Sequence, residues 1–152
     1  VATVARTYRK AIDDYLKSPE LYRENMEWYK SEIGKCTYRE FTTGFYFHKP
    51  DATTQIYDSN TYVKNYTYLG TVEAVREDGL VRIEQKNKFS VGETVEIMKP
   101  DGRNLENEVA AICDEEGNPV ESAPHPKQVL YVDLGADAEC GDIIRRSEME
   151  AD

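Results

Sequence analysis

Over residues 68–102, apolar and polar positions alternate with a period of two. Val72 and Ala74 alternate with Glu73 and Val75, Val81 and Ile83 with Arg82 and Glu84, and Val95 and Ile97 with Thr94 and Glu96. That period describes strands that pack on one face and meet water on the other. Asp78-Gly79 supplies a hairpin turn between the first two strands. The construction returns further on, where Gly92-Glu93-Thr94-Val95 is echoed by Gly141-Asp142-Ile143-Ile144. In each, a glycine tolerant of positive φ leads the chain into an apolar strand. Strands are also predicted over 108–113, at Val120, over 128–133 and over 143–146, with Ala123-Pro124-His125-Pro126 held extended by its prolines. Short strands with turn signals between them predict a mainly β protein over residues 63–147, a small closed β-barrel or a sandwich.

The period changes near the start of the chain. Val1, Val4, Ala5, Tyr8, Ala11, Ile12, Tyr15 and Leu16 fall within an arc of about 140° on a helix, while Arg6, Lys10, Asp13 and Lys17 face the other way. Ser18-Pro19-Glu20 stops this helix and starts another, with Ser as N-cap, Pro at the first helical position and an acid in the first turn. The second helix carries Tyr22, Met26, Tyr29 and Ile33 on one stripe and ends near Gly34. Two helices over residues 1–34 are therefore expected, with both stripes facing a core or a docking partner. The first stripe needs a partner that so small a helical segment does not supply, which predicts self-association through residues 1–16 or disorder of that helix. A chain that opens at Val1 in mid-helix reads as a piece of a larger protein.

Residues 35–62 form an aromatic connector. Phe41 to Phe47 is rich in aromatic and β-branched residues and reads as extended, Pro50 closes it, and Asp51 to Asn60 is polar and loop-like. Residues 148–152 are a charged tail.

Charge divides the chain at the same place. Residues 1–68 hold ten Lys/Arg against nine Asp/Glu, whereas residues 69–152 hold nine against twenty, within a total of −10. The acidic half is a poor general surface for nucleic acid, whose phosphates call for Lys and Arg, though a local basic patch would still serve. An RNA binder of this net charge has to gather its cations on one face. No apolar run approaches the roughly 20 residues of a membrane span, and no signal-peptide pattern opens the chain. Cys36, Cys113 and Cys140 are an odd, widely spaced set without a C-x-x-C, which suits a reducing cytoplasm and idle thiols better than a disulfide framework or a metal site.

Four strings carry a resemblance. The run TYREFTTGFYF over 37–47, the F-x-x-G-E-x-V-E-I stretch from Phe89 to Ile97, the Ser/Ala-x-His-Pro-x-Gln string around Ser122–Gln128 and the terminal Gly-Asp-Ile-Ile-Arg of Gly141–Arg145 resemble the C-terminal part of the collagenase-like peptidases, peptidase family U32. The resemblance covers essentially the whole chain. It implies that residues 1–34 are the helices that close the family's catalytic domain and that residues from about Val63 to Arg146 are its appended β-barrel, which is loosely similar to the second domain of translation elongation factors. It also implies one of two settings: a peptidase acting on collagen-like substrates, or a protein that takes part in hydroxylating a base of tRNA or ribosomal RNA. The family's chemistry belongs to a larger N-terminal domain outside this chain, so no catalytic residue, metal ligand or cofactor is carried over. Tyr38 stands where the family pattern suggests His.

The residues themselves agree with that restraint. His48 and His125 are the only histidines, and neither stands in an activating context; a Cys113–His125 pair is the weaker reading beside a turn role for His125. Glu73, Glu84, Glu93 and Glu96 alternate with apolar residues and are expected to be the solvated strand face rather than acid–base pairs. Arg39, Phe45, Tyr46 and Lys49 are the candidate binding residues. Aromatics interleaved with cations stack RNA bases and neutralise phosphates, or they seal the barrel against the helices or the absent domain, and alternating aromatics in an extended segment favour the seal. The expected function is a non-catalytic accessory module that positions a macromolecular substrate, protein or tRNA, or braces its own N-terminal catalytic domain. The alternative is an RNA-binding module of a base-hydroxylating member. The setting is expected to be cytoplasmic, with no membrane partner.

Overall fold

The computed structural model describes residues 1–36, 46–49, 51, 65–125, 127–135 and 137–148. Three helices open the chain: α1 (Ala2–Lys17), α2 (Pro19–Glu24) and α3 (Met26–Gly34). Ser18 caps α2 as its sequence predicts, accepting from the backbone N–H groups of Glu20 and Leu21. The single second helix expected from the stripe Tyr22–Ile33 is instead two. Asn25 leaves helical geometry at φ −85°, ψ 5° and separates α2 from α3, and its side chain turns back to donate to Asp14 at 3.0 Å. A short polar residue that can bond elsewhere competes with helix continuation.

Among the described residues nine strands follow: β1 (Tyr66–Val75), β2 (Val81–Gln85), β3 (Phe89–Ser90), β4 (Thr94–Met98), β5 (Asn104–Glu108), β6 (Ala111–Cys113), β7 (Ser122–Ala123), β8 (Val129–Asp133) and β9 (Ile143–Ser147). Seven of them form one antiparallel sheet in the order β5-β4-β9-β1-β2-β8-β6, and β3 pairs with β7 as a separate ribbon. The inward residues Leu69, Val72, Val81, Ile83, Val95, Ile97, Leu130, Val132 and Ile144 meet Phe89, Val109 and Ile112 in one core. The expected glycine-led entries are present: Gly92 has φ +84° and Gly141 φ +95°, a region costly for residues with a Cβ.

The closed barrel is corrected to a rolled sheet with two edges. Among the described residues no ladder joins β5 to β6. These edge strands are nevertheless consecutive in the chain, only Val109 and Ala110 apart. The three steps from Glu108 to Ala111 span at most ~11 Å, so the sheet curls until its two edges share one corner. Val109 sits wholly inside that corner; its N–H donates to the Glu93 carbonyl at 3.0 Å and its carbonyl accepts from Gly92 at 2.9 Å. The strand expected over 108–113 is divided there, and β5, Asn-Leu-Glu-Asn-Glu, has no alternation to announce it. This polar edge strand is held by its ladder to β4, with Leu105 alone packed against the core.

Candidate functional site

The expected binding residues lie mostly outside what the structure describes. Arg39 and Phe45 are not among the described residues. Tyr46 and Lys49 are, and both are exposed, as are Phe47 and His48. The Tyr46 and Phe47 rings meet edge to face at 5.2 Å, and His48 Nδ1 is 2.9 Å from the Lys49 carbonyl oxygen. The described structure does not bring these residues to the core. Of the cysteines, Cys36 and Cys113 are half-buried and Cys140 is exposed, all as free thiols, and His125 is exposed.

What the structure brings together is a charged junction on the outer face of the sheet. Residues directly opposite in antiparallel strands share a face, so the pairings Glu96↔Arg145 and Tyr68↔Arg145 put these three side chains on one side, opposite the core. Helices α1 and α3 cover that side. Arg6 of α1 and Arg145 of β9 both bind Glu32 of α3, the second through Nη2 at 2.6 Å. Arg145 also binds Glu96, and Lys35 joins the two carboxylates at 2.9 Å to Glu96 and 3.2 Å to Glu32. Arg6 Nη1 donates to the Lys99 carbonyl at 2.8 Å and to Asn104 Oδ1 at 2.9 Å, while Asn104 Nδ2 donates to Glu32 at 3.0 Å. One buried carboxylate thus ties α1, α3, β5 and β9 together.

The direction of the pKa shifts agrees with this geometry. Burial pushes the Glu32 carboxyl up, but the hydrogen bonds and charge of Arg145, with Asn104 and Arg6, hold it below its ordinary range. Burial of Arg6 lowers its guanidinium despite Glu32, and it remains a cation. A second buried cluster lies inside the helical part. Burial works against the Asp14 carboxylate, but Lys10 at 2.8 Å, Tyr29 Oη at 2.7 Å and Asn25 at 3.0 Å hold its pKa down. Burial and that bond push the Tyr29 hydroxyl up to about 12.

This junction inverts α1. Its buried side chains are Arg6, Thr7 and Asp14, whereas the apolar arc faces out, with Tyr8 60% and Leu16 75% exposed. Helical spacing lines Arg6, Lys10 and Asp14 up at i, i+4 and i+8, opposite the arc. Of the polar residues expected to face away from the arc, Arg6 and Lys10 turn in beside Asp14 to make the docking face, while Lys17 stays exposed. Glu96 is corrected likewise. Glu73, Glu84 and Glu93 lie on the wetter faces, paired with Arg82, Lys86 and Arg146, but the Glu96 side chain is covered and 14% exposed. Sequence reasoning missed this network, although Glu96 and Arg145 stand inside two of the strings that carry the resemblance.

Two family models match this chain. The model of the peptidase family U32 C-terminal domain matches residues 64–145, more than half of the chain, and the peptidase family U32 model matches residues 1–56. The chain belongs to peptidase family U32. The charged junction therefore lies between the two parts of a U32 protein that the two models describe. Among U32 relatives, tRNA hydroxylation protein P1 of Bacillus subtilis is 34% identical over 135 residues, 88% of this chain and 32% of that protein. The tRNA hydroxylation protein P of Escherichia coli is 27% identical over 139 residues, 91% of this chain and 30% of that protein. The chain thus spans about a third of the length of these relatives. The crystallised C-terminal domain of a Geobacillus thermoleovorans protein described as a U32 peptidase is 26% identical, with a TM-score of 0.49 over 53% of this chain and 99% of that one. No described helix is long and apolar enough to cross a membrane.

Proposed function

We propose that this chain is the tRNA-positioning C-terminal part of a U32 protein that takes part in tRNA hydroxylation, without catalytic residues, metal or cofactor of its own. The observation that carries the reading is its 34% identity, over 88% of its length, to tRNA hydroxylation protein P1. The geometry supports a bracing role beside it. Breaking up the buried junction would leave desolvated charges without partners, so the helices and the sheet act as one rigid piece. The exposed stripe Val4, Tyr8, Ile12, Tyr15 and Leu16 on α1 is then the face that the N-terminal U32 part covers, or that a second copy covers when that part is absent. The working units are residues 1–34, the connector 35–62, the rolled sheet over 63–147 and the tail 148–152. Action on tRNA sets the protein in the cytoplasm.

A second reading, an accessory module of a peptidase of collagen-like substrates, is favoured by one observation, the net charge of −10, which repels phosphate over most of the surface. The two readings part in one experiment. Binding of bulk tRNA by the chain is measured by fluorescence anisotropy at about 50 mM and about 200 mM salt, with gelatin as the competing ligand. The expected result is tRNA binding that weakens by tenfold or more at the higher salt. Binding of gelatin with none of tRNA at low salt would replace the first reading with the second.

A further inference from the structure

Beside the charged junction lies an open cleft of about 520 Å³ whose walls include Lys35, Cys36, Tyr66, Tyr68, Asn87 and Arg145. Its composition departs from the rest of the molecule. The chain has 29 Asp and Glu, yet no carboxylate is among the described residues that line this cleft. Lys35 and Arg145 of the wall and Arg6 behind it, three cations, meet two carboxylates (Glu32 and Glu96), so one positive charge is left over. Among the described residues, Arg145 Nη1 has no hydrogen-bond partner, although the side chain is only 5% exposed. That nitrogen is sealed from the cleft, so Arg145 acts on an anion there through its charge across the wall rather than through a hydrogen bond from Nη1. The Tyr66 ring centroid is 4.9 Å from the Arg145 guanidinium and 5.2 Å from Lys35 Nζ, which holds both cations against the wall.

Tyr68 offers the second half of a nucleotide site. It stands opposite Arg145 on β1, and 41% of it is exposed. Its hydroxyl is held by Thr71 Oγ1 at 2.7 Å, and its backbone carbonyl accepts from Asn87 Nδ2 at 2.7 Å. An aromatic face held in place next to a surplus cation is the arrangement that stacks a base while drawing its phosphate. We propose that this cleft is a subsite for one nucleotide of single-stranded RNA, with the base on Tyr68 and the phosphate drawn by Arg145 and Lys35. The inference deepens the tRNA reading and rests on it.

The test uses this chain, a fluorescent single-stranded RNA of about ten nucleotides and bulk tRNA, followed by anisotropy. Tyr68→Ala is expected to weaken the short RNA roughly tenfold, the loss of one stacked base, and Tyr68→Phe to restore it. Lys35→Gln is expected to reduce the salt dependence of binding. Independently, in a Cys113→Ser/Cys140→Ser background, Cys36 becomes the single thiol, and RNA is expected to slow its labelling by a thiol reagent. If tRNA binds and its affinity is the same in Tyr68→Ala, with Cys36 labelled at an unchanged rate, the cleft is wrong and the tRNA reading stands. If neither RNA binds the wild-type chain, both are overturned.

Discussion

The two faces of the rolled sheet are held by opposite kinds of force. The inner face is apolar, and side chains such as Ile97, Leu130 and Ile144 are sealed from water around Phe89. The outer face is where α1 and α3 lie, and there the contact is made through Arg6, Glu32, Glu96 and Arg145. Apolar burial is non-directional and tolerates exchange of one aliphatic for another. A buried ion network is directional, and it is favourable only while every member is present. The core therefore makes the sheet, and the charges set how the helical part is mounted on it. A mount of this kind gives orientation more than net stability, which suits a module that positions something else.

The largest effect is expected from removing the shared carboxylate. Glu32→Ala strands two buried guanidiniums and should cost about 3–5 kcal/mol. Amide hydrogen exchange should then quicken in α1 and α3 ahead of β1 and β9. Equal quickening in all four would erase the distinction between mount and core. Ile97→Ala tests the other face: a large-to-small change in a sealed core is expected to cost about 3 kcal/mol in denaturant unfolding, with helices and sheet lost together.

Acid should act on the mount more than on the core. The folded pKa values of Glu32 and Asp14 lie below their ordinary values of 4.5 and 3.8. A depressed carboxyl adds stability that is fully present above its unfolded pKa and is lost as pH falls through the folded one. Melting temperature should thus hold down to about pH 5 and decline below 4.5, with α1 and α3 exchanging first. Tyr29 has the opposite sign. Raised to about 12, its contribution is present below its ordinary value of 10 and fades as pH climbs between the two. An unchanged melt from pH 7 to 3 would mean that the buried carboxylates add nothing.

The smallest effect on stability belongs to the outward stripe of α1. Ile12→Lys or Leu16→Lys should move the unfolding free energy by no more than about 0.5 kcal/mol, because neither side chain is packed in this chain. Sedimentation should show less self-association in both variants than in wild type. A drop of several kcal/mol in either would place the stripe inside the molecule and reverse the orientation of the helix.

Much of the sheet was legible because its information is local. Alternation at Val81–Glu84 and Thr94–Ile97, the Asp78-Gly79 turn and the glycines ahead of Val95 and Ile144 each follow from a few neighbouring residues. The Ser18 cap is equally local. The polar edge strand β5 was not legible, since Asn104–Glu108 has no apolar face to show and is defined by its neighbour β4. The break at Asn25 was hidden because its cause is a bond to Asp14, eleven residues away. The four connector residues proposed for binding remain a proposal, with Arg39 and Phe45 outside the described residues.

The sequence by itself determined that α1 is amphipathic, that the later half is an antiparallel β domain with one buried face, and which strings tie both to family U32. Those properties depend on periodicity and on residue type at short range, where sterics and local hydrogen bonding act. Tertiary structure alone decided which side of α1 faces in. A helix with an apolar arc normally buries that arc, but Glu32, Glu96 and Arg145 come from three other elements, and only their convergence makes a buried site for Arg6. An isolated arginine is too costly to desolvate; opposite a shared carboxylate it becomes the fastening point.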